Sequence, residues 1–99
     1  MDIKSLQNKV DVFIHKNNMV TDLPNRCLDL VSEVGEMSRE YLNSIEYGKT
    51  PFNKTENWDL EIGDIFFSLI CIANLTSTDL ELTLTKVLEK YTERIANKT

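Results

Sequence analysis

The chain has 99 residues, of which 41% are hydrophobic and 27% are charged, and its net charge is -5. This composition is typical of a single globular domain, here residues 1–99, and excludes a disordered or fibrous chain. The negative charge argues against a general nucleic-acid-binding or anionic-membrane surface, because both need a cationic field. A domain this small buries little of its surface, so association with further copies is plausible from size alone.

The N-terminal residues lack the charged and then apolar layout of a signal peptide. The longest apolar run, IFFSLICIANL, is too short to span a bilayer. These features predict a cytoplasmic location. Cys27 and Cys71 lie in apolar helical patterns outside any CxxC or Cys/His cluster. We therefore expect both to be reduced core residues.

Apolar spacing predicts four helices and no strand. The first should cover residues 3–17. The second should begin after Asp22 as N-cap, with Pro24 in its first turn, and end near Ser44. Its apolar stripe is expected at Cys27, Leu30, Val31, Val34, Met37 and Tyr41.

Residues 45–56 show no periodicity and predict a loop, longer than a helical bundle needs and hence a candidate lid. The third helix should begin near residues 55–57 and end near Leu75. A capping box, Thr78 with Glu81, should start the fourth, which ends near Ala96. The sequence thus predicts an all-α, four-helix bundle.

Two short stretches, EVGE from Glu33 to Glu36 and EIGD from Glu61 to Asp64, repeat one pattern. Residues three apart on a helix are neighbours, so the two acids of each pair converge. Glu40 lies on the same edge of the second helix. We expect the glycines between the acids, Gly35 and Gly63, to let the two helices approach closely around one site.

The third helix is apolar around nearly its whole circumference, which predicts burial on all sides and packing against another subunit in a homo-oligomer. Unpaired carboxylates at the mouth of such a core are costly, and a divalent cation would relieve that cost. Oxygen ligands without a nearby histidine favour Mg²⁺ or Mn²⁺. A ferritin-like di-iron site is disfavoured because the only histidine, His15, lies in neither motif. His15 is expected to be exposed or partly packed. The alternative is that both acid pairs are solvated helix surface.

Lys86, Lys90 and Arg94 lie four residues apart along one edge of the fourth helix. They are either a solvated face paired with Glu89 and Glu93 or a clamp for phosphates. Two further residues are candidates to contact a base. These are Trp58, by stacking, and Asn74, through its amide, although packing and helix capping explain them equally well.

The segments LVSEVGEMSREYLN, WDLEIGDIFFSLICIAN and TKVLEKYTERI resemble the MazG-like nucleoside triphosphate pyrophosphohydrolases, whose signature is ExxE, a spacer, then ExxD. The resemblance covers residues 26–94. It implies an all-α NTP pyrophosphatase fold assembled as dimers or tetramers. It further implies Mg²⁺-dependent cleavage between the α and β phosphates. The four acids of the signature, which would be catalytic and hold the metal, are Glu33, Glu36, Glu61 and Asp64.

On this interpretation Lys86, Lys90 and Arg94 would stabilise the pyrophosphate leaving group, and the enzyme would clear unwanted nucleotides from the pool. A related phosphoribosyl-ATP pyrophosphohydrolase is the nearest alternative. From another class, a non-catalytic helical dimerisation or regulatory module would use the acids only as a solubilising face.

Overall fold

A computed structural model describes residues 1–19 and 22–98. The chain forms four α-helices: α1 (Ile3–Lys16), α2 (Leu23–Ser44), α3 (Glu56–Leu75) and α4 (Leu80–Ala96). A 3₁₀ turn (Glu46–Gly48) follows α2. No strand occurs among the described residues. The predicted all-α class and its four helices are confirmed.

Each helix is preceded by an N-cap residue, whose side chain accepts a hydrogen bond from an otherwise unpaired backbone N–H group in the first turn. Asp22 accepts from the N–H of Asn25 at 3.0 Å, as expected, and Pro24 lies in the first turn of α2. The capping box predicted for α4 is wrong. Its N-cap is Asp79, which accepts from the N–H of Leu82 at 3.0 Å. The Thr78 hydroxyl instead lies 2.8 Å from that of Thr76.

The most extensive packing between helices is that of α2 on α3, which run antiparallel. The least exposed side chains of α2 recur at helical spacing, so they mark the face against α3: Arg26, Leu30, Glu33, Met37 and Glu40. The predicted apolar stripe is therefore displaced. Val31 is 71% exposed, and Cys27 is exposed rather than in the core. The side of α2 that meets α3 is the edge that carries the acids.

A small apolar core lies where α1 packs on α3, and its buried apolar side chains are Ile14, Ile70, Cys71 and Ala73. Burial also raises the pKa of the Cys71 thiol, as expected for a thiol that stays protonated. Next to this core, Gln7 joins α1 to the turn before α4. Its amide nitrogen donates to the carbonyl of Thr78, and its amide oxygen accepts from the N–H of Leu80.

The last helix, α4, leaves α3 at an angle of 103° and makes its main contact with α1. The radius of gyration is 16.7 Å, against about 13 Å for a compact domain of this length. The apolar residues of α4 therefore stay exposed, with Leu88 at 57% and Ile95 at 69%. The predicted burial of α3 on all sides does not occur within one chain, since Ile62 and Phe66 are more than 40% exposed.

Taken one at a time, the helices in the described part of the chain lack the length and apolarity of a membrane span. Among the described residues, the bent pair of α3 and α4, taken together, has the length and apolar composition of a span.

Candidate metal centre

Three of the predicted acids meet where α2 and α3 pack together. Glu33 on α2 and Glu61 and Asp64 on α3 each offer a carboxylate oxygen, and these oxygens lie within 4.8 Å of one another. Helical spacing puts Glu61 and Asp64 on one side of α3, and the antiparallel packing of α2 brings Glu33 beside them. Residues 28 positions apart in the chain thus share one site.

The carboxylates are held in a repulsive arrangement. Partial burial raises the pKa of the Glu33 carboxyl above its ordinary value, and the charges of the acids around it raise the pKa further. Burial likewise raises the pKa of Glu61, followed by the charges of Glu36, Asp64 and Glu40. One oxygen of Glu33 and one of Glu61, both Oε2, are buried without a hydrogen-bond partner.

Glu36, the fourth predicted acid, lies at the more exposed side of the cluster. Its charge acts on both Glu33 and Glu61, although it is not one of the three residues whose oxygens converge. A fifth acid, Glu40, is partly buried one turn beyond Glu36. In the sequence, Glu40 is marked only by its position on the acidic edge of α2, and that position does not predict a role.

The explanation predicted for the two glycines is wrong for this chain. A Cβ atom built on Gly35 or on Gly63 would meet no atom within 4 Å. The helices therefore do not need glycine there to approach each other. Both glycines are exposed, so the space beside them is open to solvent or to another molecule.

The basic residues of α4 are not brought to the acids by the packing of one chain. Lys86, Lys90 and Arg94 are exposed on a helix whose main contact is with α1. Lys90 and Arg94 lie 5.4 Å and 5.8 Å from the centre of the Tyr91 ring. Within residues 1–19 and 22–98, no salt bridge joins any of the three to Glu89 or Glu93.

The two candidates for base contact lie at opposite ends of α3. Trp58 packs in an aromatic cluster with Tyr41 and Phe52, at ring-centre distances of 6.4 Å and 5.3 Å. Asn74 is bonded to Gln7 through both ends of its amide, at 3.1 Å and 3.0 Å. Sixteen residues of helix separate the two by about 24 Å, so within one chain they cannot contact the same base. His15 is exposed, as predicted, beside Asp11.

The acid cluster fits a divalent cation. Its donors are carboxylate oxygens, the ligands that hard ions such as Mg²⁺ prefer. A cation bound at Glu33, Glu61 and Asp64 would give the two unpartnered buried oxygens a partner and would relieve the mutual repulsion of the acids.

Comparison with known proteins agrees with this fold and identifies the family. Residues 25–99 match the family model of the MazG nucleotide pyrophosphohydrolase domain. The uncharacterized protein YpjD of Bacillus subtilis is 33% identical over 97 residues, which cover 93% of this chain and 85% of YpjD.

Two crystal structures share the fold. That of YpjD superimposes with a TM-score of 0.76 at 32% identity, covering 92% of this chain and 93% of the other. A Bacillus-conserved MazG protein, described as a nucleotide pyrophosphohydrolase, gives a TM-score of 0.77 at 28% identity, covering 92% and 90%.

The family match and the shared fold identify a helical nucleotide-hydrolysing enzyme. This chain belongs to the MazG nucleotide pyrophosphohydrolase family. The resemblance seen in the sequence is confirmed, and the chain is a hydrolase rather than a non-catalytic module.

Proposed function

We propose that the chain is a Mg²⁺-dependent nucleoside triphosphate pyrophosphohydrolase that clears (d)NTPs from the nucleotide pool. It would cleave between the α and β phosphates to give a (d)NMP and pyrophosphate. The observation that carries this proposal is the convergence of the Glu33, Glu61 and Asp64 oxygens within 4.8 Å, in a chain of this family. We infer that the cytoplasm, where nucleotides are used, is its location.

The carboxylates have two roles on this proposal. Glu33, Glu36, Glu61 and Asp64 would hold the cation, with Mn²⁺ as an alternative to Mg²⁺. A bound Mg²⁺ would neutralise the charge that develops on the attacking and leaving oxygens. The glutamate not fully engaged with the cation would orient the attacking water by accepting its hydrogen bond, and the greater exposure of Glu36 favours it for this role.

The phosphates need cations, and the packing of one chain does not bring the three basic residues of α4 beside the acids. We propose that Lys86, Lys90 and Arg94 bind the pyrophosphate part of the substrate in a homo-oligomer, a dimer or a tetramer. Support comes from α4, which is splayed from α3 and exposes Leu84, Leu88 and other apolar residues. A second copy covering them could bring one copy's cations to another's acids.

The base would lie against the aromatic cluster of Tyr41, Phe52 and Trp58. A pocket of about 390 Å³ opens beside Trp58 and Tyr41 and is lined by Met37, Leu42 and Ser38. The Ser38 hydroxyl donates to the carbonyl of Val34, so few polar groups remain to read the edge of a base. Stacking would dominate, and we expect broad tolerance among bases. Asn74 has no part in this proposal because its amide is already bonded to Gln7.

The test is an assay of the full chain with Mg²⁺ and a panel of canonical and damaged (d)NTPs, with phosphoribosyl-ATP beside them. Products are identified as NMP and pyrophosphate or as NDP and phosphate. We expect pyrophosphate from the NTPs and a loss of kcat/KM of more than about 100-fold in Glu61→Gln. Even outer partners of a metal site cost about 10- to 100-fold when removed, and Glu61 is proposed as a ligand.

Glu81→Gln is the matched control, since it removes an exposed carboxylate on α4 and should keep full activity. Release of phosphate instead of pyrophosphate would contradict the cleavage site. A strong preference for phosphoribosyl-ATP would favour the alternative enzyme. Equal rates of pyrophosphate release for Glu61→Gln and the unchanged protein would contradict the proposed metal centre.

A further inference from the structure

Glu40 connects the acidic edge of α2 to the beginning of α3. One of its carboxylate oxygens accepts a hydrogen bond from the Thr55 hydroxyl at 3.0 Å, and the other lies 3.5 Å from the amide nitrogen of Asn57. Its oxygens are thus directed to α3. They are not among the oxygens that converge at the candidate centre.

Thr55 transmits this contact to the helix. While its hydroxyl donates to Glu40, the same oxygen accepts from the N–H of Trp58 at 3.1 Å and so caps α3. Glu61 lies one turn after Trp58, and the hydrogen bond of its own N–H depends on that first turn being formed. An unsecured helix end frays, so Glu61 needs the cap to be in place.

The geometry extends along the antiparallel pair. Glu40 is seven residues after Glu33 on α2, about 10 Å along the axis, and Thr55 is six residues before Glu61 on α3. The contact between Glu40 and Thr55 therefore lies about two turns from the point where Glu33 and Glu61 meet. A link at that distance fixes the angle and register of α3 on α2.

We propose that Glu40 is a positioning residue: by accepting hydrogen bonds from the first residues of α3, it sets the distance between the acids of α2 and those of α3. The inference rests on the proposed metal-dependent function. It assigns Glu40 a role through hydrogen bonding, not through its charge and not as a ligand. The charge of Glu40 makes the smallest of the contributions that raise the pKa of Glu61, so its removal alone should change the affinity for a cation little.

Two substitutions at Glu40 separate the effect of side-chain length from the effect of charge. Glu40→Gln keeps the side-chain length and an oxygen that accepts from Thr55, but loses the charge and the long contact of 3.5 Å with the Asn57 amide. Glu40→Asp keeps the charge, but is one methylene shorter and no longer reaches Thr55. The affinity of the full chain for Mn²⁺ is measured by calorimetry without substrate, and the Mg²⁺ dependence of pyrophosphate release is measured separately.

We expect Glu40→Gln to bind Mn²⁺ within about threefold of the unchanged protein. Glu40→Asp should bind about 10- to 100-fold more weakly, the range typical of lost outer partners of a metal site. Glu40→Asp should need correspondingly more Mg²⁺ for half-maximal rate, while kcat at saturating Mg²⁺ changes less. Thr55→Val, which removes the other half of the contact, should resemble Glu40→Asp. Combining these two substitutions should add little further loss.

The reverse order, with Glu40→Gln weaker than Glu40→Asp, would overturn the inference and make Glu40 a ligand. Unchanged Mn²⁺ affinity in both Glu40→Asp and Thr55→Val would also overturn it. If the unchanged protein binds Mn²⁺ but releases no pyrophosphate, the proposed reaction fails while the positioning role stands. If it binds no Mn²⁺ at all, both fall.

Discussion

The carboxyl groups of Glu33 and Glu61 illustrate how the same arrangement can be unfavourable for folding and favourable for binding a cation. Each has a buried oxygen without a partner and a pKa raised by burial and by neighbouring acids. Folding alone would select against such an arrangement. Its presence is understandable when a cation belongs at the site, because the same repulsion then becomes affinity.

The raised pKa values predict how stability depends on pH in the metal-free protein. A carboxyl whose pKa is higher in the folded state binds its proton more tightly there than in the unfolded chain. The contribution of Glu33 and Glu61 to stability is therefore present at low pH. It is lost as pH rises from the unfolded value near 4.5 through the raised folded values. Thermal melts across this interval, with a chelator present, should show a falling Tm.

Mg²⁺ should reverse that trend, since it binds the deprotonated carboxylates. The gain in Tm on adding Mg²⁺ should grow as pH rises, and Glu61→Gln should flatten both curves. At lower pH the caps act in the opposite sense, because hydrogen bonds from Asn25 lower the pKa of Asp22. Its contribution is lost as pH falls below 3.8 through the lowered folded value. A metal-free Tm that rises with pH above 4.5 would contradict the assignment of repulsion to this cluster.

At the scale of the helices, local rules predicted most boundaries. Asp22 and Thr55 cap α2 and α3 where short polar side chains precede helical periodicity. For α4, two capping residues stand side by side, and the spacing of Thr78 to Glu81 favoured Thr78 over Asp79, the actual N-cap. The Gln7 contacts with the Thr78 carbonyl and the Leu80 N–H help to hold the turn in the conformation that makes Asp79 the cap.

The glycines give a prediction at this scale. Because nothing within 4 Å would meet a Cβ atom at Gly35 or Gly63, alanine should fit both positions. Each substitution should stabilise its helix by about 0.4 to 1 kcal/mol, chiefly because alanine restricts the unfolded chain. Urea denaturation of Gly35→Ala and Gly63→Ala measures this gain.

The activity of the same two variants tests what the open space is for. If a nucleotide or a second copy occupies it, the stabilised variants should lose turnover or change their oligomeric state. Ser32→Ala, at a neighbouring exposed position of α2, serves as a control that should alter neither. Loss of stability in Gly35→Ala or Gly63→Ala would contradict the geometry described above.

At the scale of the whole molecule, the chain leaves too much apolar surface uncovered for an isolated domain. Leu84, Leu88, Tyr91 and Ile95 on α4 are each at least 49% exposed, while only four apolar side chains are buried among the described residues. Such surfaces in small proteins are usually covered by another chain. This supports the proposed homo-oligomer, in which a second copy would cover α4.

Leu88→Glu tests the oligomer directly. In a monomer, this exposed position should tolerate the charge within about 0.5 kcal/mol. In an oligomer that buries the α4 stripe, the charge should dissociate the assembly and abolish pyrophosphate release. Sedimentation velocity measures the state of association.

Leu82→Glu is the matched control, because Leu82 is equally exposed but lies on the opposite side of α4 from the stripe. It should leave the assembly intact. A monomeric and fully active Leu88→Glu protein would contradict the proposal that α4 joins the copies.

The sequence by itself determined the four helices, the N-cap of α2, the paired acids and the family. Helical periodicity, capping and acid spacing are local properties that neighbouring residues set. Only the tertiary structure decided which face of α2 meets α3, that Glu40 holds the first turn of α3, and that α4 turns away and keeps its cations from the acids. These features depend on contacts between residues far apart in the chain, and the predicted stripe of α2 failed because some of its apolar residues lie on the open side of the helix.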